Sequence, residues 1–138
     1  MNKAAVSVYV FGVYLLGLVG PGFMLAPHGV LGLVGLSAGD DLWIRMLGLL
    51  AALLGFYYVM AARAQLDPFI RWTVPARCAA AAFMLLLVLL GKAAPALLLF
   101  AGTDLAAAGW TFLSLRASAA TGHRGSGARG APSGPRQA

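Results

Sequence analysis

Charge is scarce in this chain: charged residues make up 10% of 138 positions, and only four of them are acidic. A soluble domain carries about 25% charge and is about 45–50% apolar. Here hydrophobic residues reach 61% and the mean hydropathy is +0.85, more apolar surface than a water-soluble core absorbs. Cysteine is nearly absent. Cys78 stands alone, so neither an internal disulfide nor a cysteine metal cluster can form. Assembled chemistry is also missing: the chain has no His-Glu-x-x-His, phosphate loop, Cys-x-x-Cys or haem-attachment motif. That weighs against an enzyme, and neither a cofactor nor a metal is expected.

What is present is a series of apolar runs of bilayer length. A span needs about 20 predominantly apolar residues, and four segments qualify, at about 5–26, 43–62, 74–94 and 95–115. Lys3 ahead of the first run invites a signal-peptide reading. A cut after Ala26 would put Met24 where a small residue is wanted, so the segment is expected to stay as a helix. Pro21-Gly22 marks an expected kink or end to that span. In the third, the uninterrupted part, Cys78–Gly91, is 14 residues. That is about 21 Å of helix, which predicts that Arg77 and Lys92 snorkel outward. Pro95 suits the first turn of the fourth span. The glycine-rich stretch 27–41 is too short to span and predicts a loop or interfacial segment, closed by Asp40-Asp41 as a cap for span two.

The formal charge of +6 does not point to nucleic acid, because the cations sit at the ends of apolar segments and in the tail. With the N-terminus inside, the cytoplasmic side holds Lys3, Arg63, Arg71, Arg77, Arg116, Arg124, Arg129 and Arg136, against Arg45 and Lys92 outside. The positive-inside rule therefore predicts both termini in the cytoplasm. Residues 117–138, rich in Gly, Ser, Ala, Pro and Arg, predict a disordered basic tail. One internal echo is visible: Gly48-x3-Ala52-x2-Gly55-Phe56-x-Tyr58 and Gly102-x3-Ala106-x2-Gly109-Trp110-x-Phe112. In each, small residues share one helix face and permit close backbone approach.

Asp104 is the sharpest functional signal. It falls nine residues into span four, roughly 13 Å deep by helical rise. A carboxylate there costs about 2.5–3.5 kcal/mol on insertion scales, so it needs a partner. Arg45, near the start of span two, is the expected one: an intramembrane Arg45–Asp104 pair that locks two helices or forms a proton or ligand site. Arg63, Arg71, Trp72 and Arg77 surround the second hairpin and form a candidate headgroup-binding cluster, although the positive-inside bias alone also produces such a loop. His28 with Asp40 and Asp41, Cys78 beside Arg77, and His123 in the tail are weaker signals, and the surface or packing reading is preferred for each.

The strings Trp43-Ile-Arg45-x-Leu-Gly48, Gly55-Phe-Tyr-Tyr58, Ala61-Ala-Arg63, Pro68-Phe-x-Arg71-Trp-Thr-Val74 and Phe100-x3-Asp104-Leu105 resemble a group of small uncharacterised bacterial four-span proteins over about residues 10–116. A looser likeness in size and helix count is to DoxX-like membrane proteins. The resemblance implies a bacterial inner-membrane location. The expectation is an all-α membrane protein: an antiparallel bundle of four transmembrane helices over 1–116, followed by the tail. Its expected role is non-enzymatic, as an accessory or structural subunit, with membrane lipid, a membrane-protein partner or a second copy as its company. The alternatives are a binding or transport module for a small lipophile or cation using Asp104, and a membrane enzyme acting on a lipid or isoprenoid.

Overall fold

A computed structural model describes residues 1–126. Helix α1 runs Lys3–Leu25, the short α2 Pro27–Leu33, α3 Asp41–Arg63, α4 Asp67–Leu89 and α5 Leu97–Ser126. Helices α1, α3 and α4 have 23 residues each, and the span of α5 that can cross a membrane, Leu97–Ser118, has 22. At 1.5 Å per residue these are about 33–35 Å long, enough for a hydrocarbon core of about 30 Å. No strand occurs among the described residues. Leu50, Leu53, Leu85, Leu86, Leu89, Leu99 and Leu113 all point outward. A soluble monomer rarely exposes so continuous an apolar surface; in a bilayer it is the lipid contact. The chain is a multi-pass α-helical membrane protein.

Helix α1 is the centre of the bundle. It lies between α3 and α5, α4 leans chiefly on α5, and α3 and α4 make little direct contact. The α1–α3 seam is built on glycine. A Cβ placed on Gly55 would meet the Leu16 nitrogen at 2.6 Å and the Gly12 oxygen at 2.7 Å. One on Gly48 would meet the Gly20 oxygen at 2.8 Å. The two backbones are as close as a bare glycine face allows. Helix α5 is joined to α1 differently, through a buried 2.8 Å hydrogen bond between the Ser7 and Thr111 hydroxyls.

Helix α1 does not stop at Pro21. It continues to Leu25 and absorbs the proline through a wider π-turn over Leu15–Val19. A proline removes one N–H and crowds the carbonyl four residues back; one extra residue in the preceding turn relieves both. Asp40 caps α3 as expected, accepting from the Leu42 nitrogen at 3.2 Å. The second hairpin is far tighter than the connection over 63–73 that the expected spans leave. Only residues 64–66 connect α3 to α4, with Gln65 in the left-handed region at φ 51. Asp67-Pro68 opens a helix, because proline fits a first turn, and α4 then runs through Pro75. Helix α5 runs past Arg116 to Ser126. Of the tail expected over 117–138, residues 127–138 lie outside the described residues.

Candidate functional site

The early start of α4 relocates Arg77. It lies ten residues from Asp67, about 15 Å into the helix. Ile70, Thr73, Arg77 and Ala81 are the buried residues of α4, a 3-4-4 spacing that defines one face. Arg77 therefore turns into the bundle rather than snorkelling, and only 3% of it is exposed. Its guanidinium carbon sits 3.8 Å from the centre of the Phe11 ring and 5.1 Å from that of Tyr58. Cation–π contact with desolvated rings is worth about 2 kcal/mol, which offsets part of the cost of burial. It does not satisfy the donors. Tyr58 is a polar neighbour near enough to engage the guanidinium, yet among the described residues no acceptor meets hydrogen-bond geometry with Nε, Nη1 or Nη2.

Asp104 is half-buried on the core-facing side of α5 with Ala101, Ala108 and Thr111. Among the described residues it makes no hydrogen bond or contact ion pair. The cation whose field reaches it is Arg77. Both residues line one cavity of about 340 Å³, with Phe11 and Leu15 from α1, Leu54 and Tyr58 from α3, and Ala76 and Ala80 from α4. All four spanning helices contribute to its wall. Leu54 and Ala76 are also exposed on the outer surface, so the chamber opens sideways where α3 and α4 diverge.

The expected Arg45–Asp104 pair does not form. Arg45 bonds Asp41 one turn earlier, at 2.9 Å from Nη2 and 3.2 Å from Nε, and donates to the Met24 carbonyl. An i,i+4 partner on the same turn is closer than any acid on another helix, and Met24 belongs to the last turn of α1, whose carbonyls lack helical donors. His28 joins this group, with Nε2 3.9 Å from Asp41. It is a structural clasp at the end of the bundle. No cluster of three or more metal-ligating side chains exists among the described residues.

The expected headgroup cluster also comes apart. Arg63, Arg71 and Trp72 are exposed on the surface while Arg77 is inside. Arg71 instead faces Arg116 across a groove between α4 and α5, also lined by Val74, Pro75 and Phe112. Cys78 is exposed and free. Phe11, Tyr14 and Thr103, which line the cavities around Asp104, carried no sequence signal beyond their hydrophobic context, and Tyr58 was marked only by the repeated small-residue pattern and the resemblance. The 70/73/77/81 spacing was the one available clue to Arg77.

A lateral, aromatic-walled chamber holding one acid and one base defines the class: a four-span α-helical membrane protein with an intramembrane polar cleft. Comparison with family models, curated proteins and solved structures gives no match, so the geometry carries the functional argument by itself.

Proposed function

We propose that the chain is an intramembrane binding protein that takes a small amphiphile from the lipid into the chamber between α3 and α4. The single observation behind this reading is that Arg77 and Asp104 line one cavity without touching each other. A purely structural pair inside a bilayer would close to hydrogen-bond distance, since each charge is costly alone. Here the base stacks on Phe11 beside Tyr58, with no acceptor in hydrogen-bond geometry among the described residues, while the acid stands apart. The arrangement suits a molecule that offers an acceptor to Arg77, a donor to Asp104 and apolar surface to Phe11, Leu15 and Leu54. The chamber size lies within the range of about 300–1,000 Å³ usual for small-ligand sites. This favours binding over the accessory-subunit role, whose only support was the missing catalytic set.

In this reading the end carrying Lys3, Arg63, Arg71 and Arg116 faces the cytoplasm of a bacterial inner membrane, as the positive-inside rule requires. The chamber then lies roughly midway through the bilayer and is reached from lipid. Native mass spectrometry of protein released from membranes in mild detergent tests it. The wild-type chain is expected to retain a non-covalent small amphiphile, and Arg77→Gln and Asp104→Asn are expected to lose it. Equal retention by both variants would remove the proposal.

A further inference from the structure

The chamber is not isolated. A smaller cavity of about 120 Å³ adjoins it and shares Phe11, Leu15 and Asp104 as walls. A third, of about 320 Å³, lies toward the opposite end and shares Met84 and Phe100 with the second. The three form a row along α1, marked at one end by Phe11 and at the other by Phe23. Twelve residues of helical rise make that about 18 Å.

Polarity along the row is graded. Arg77 and Asp104 flank the first chamber. The second keeps Asp104 and adds Tyr14 and Thr103. The third is lined by apolar side chains apart from Ser37. The π-turn at Leu15–Val19 lies beside the middle chamber, since both its end residues line it; such turns recur at functional sites because they widen a helix locally. Met84, an unbranched side chain that adapts its shape readily, lines both the second and third chambers.

We infer that the ligand is a single-chain amphiphile with a monoanionic head, its head on Arg77 and its tail running past Met84 into the apolar chamber. This rests on the binding reading above and narrows it. The head follows from Arg77, a buried guanidinium with five N–H donors, planar and matched to a carboxylate or phosphate oxygen pair. Asp104 sets the limit on charge: a carboxyl on the same wall disfavours a dianion and accepts a bond from a protonated or hydroxyl-bearing head. One tail follows from the size of the middle chamber, whose volume of about 120 Å³ is the smallest of the three. A lipid with two tails would have to leave one in the bilayer.

Equilibrium binding of radiolabelled hexadecanoate and octanoate to the full chain in lipid nanodiscs, corrected with empty discs, tests this. Hexadecyltrimethylammonium is the control of opposite charge. Hexadecanoate and octanoate are expected to bind above the empty-disc level and the ammonium not to. Arg77→Gln should weaken both carboxylates at least tenfold, with Arg77→Lys intermediate because it keeps the charge and loses the fork. Met84→Trp, or Leu97→Trp if the first variant does not fold, should weaken hexadecanoate at least tenfold and leave octanoate unchanged. Unchanged hexadecanoate binding in the tryptophan variant would overturn the tail path while leaving the binding site intact. Equal binding of the carboxylate and the ammonium, or no effect of Arg77→Gln, would overturn the assignment of the head. Carboxylate binding no higher than in empty discs would overturn the inference, leaving the native-mass-spectrometry result to decide the broader reading.

Discussion

Helices α3 and α5 carry the same spacing of small residues and both flank α1, yet only one of them uses that spacing. In α3, Gly48, Ala52 and Gly55 press against the glycines of α1, and a Cβ on Gly20 would lie 2.7 Å from that of Ala52. In α5, Gly102 and Gly109 have no neighbour among the described residues within 4 Å of an added Cβ, and Ala106 is exposed. The aromatic partners diverge likewise: Tyr58 is 6% exposed and its counterpart Phe112 44%. The difference follows from what else each helix must bury. Helix α5 also carries Asp104, Thr111 and Ser114, which sit on a neighbouring face with Ala101 and Ala108. Polar groups gain more from leaving the lipid than glycines gain from close approach, so α5 is turned to bury them. Its small-residue face is left outside.

That contrast breaks most sharply at its two matched glycines. Gly55→Leu is expected to cost about 1–3 kcal/mol or more, since backbone atoms rather than a flexible side chain must move. Gly109→Leu, at the matching position of α5, should stay within about 0.5 kcal/mol, as surface changes do. Thermal unfolding in one detergent compares them, and equal losses would mean that the two seams are alike. A smaller effect tests the polar attachment of α5. Thr111→Val removes the hydrogen bond to Ser7 and is expected to cost about 0.6–1.7 kcal/mol, the range of such bonds within membranes; no change by the same measurement would mean that α5 is held by apolar contact alone. The smallest effect belongs to the clasp at the far end. Arg45→Ala loses an exposed i,i+4 pair with Asp41 and the bond to the Met24 carbonyl and should cost about 0.5–1 kcal/mol, because glycine contact already holds α1 to α3. A loss as large as that of Gly55→Leu would reverse the ranking.

Much of the fold was readable because hydropathy reports burial in lipid directly. The second span was placed within two residues at each end, and the Asp40 cap was correct, because both depend on local chemistry. The third span was misplaced at its start. Arg71 looked like a loop charge and Arg77 like a snorkelling one, and a residue scale applied along the chain cannot tell an arginine facing lipid from one facing a helical interior. The site was half legible. Asp104 was singled out by its depth, but its relation to Arg45 was inferred from position along two separate helices. Which arginine faces it depends on how α4 is rotated and on the gap between α3 and α4, neither of which is a local property.

By itself, the amino-acid order determined the solvent, the number of spans and the placement of most cations at one end, since apolar length and charge position act on each segment independently. Only the tertiary structure decided that Arg77 turns inward onto Phe11, that Arg45 is engaged by Asp41, and that one of two matching glycine faces is used. Those outcomes depend on competition among helices for a limited interior, where burying one group displaces another.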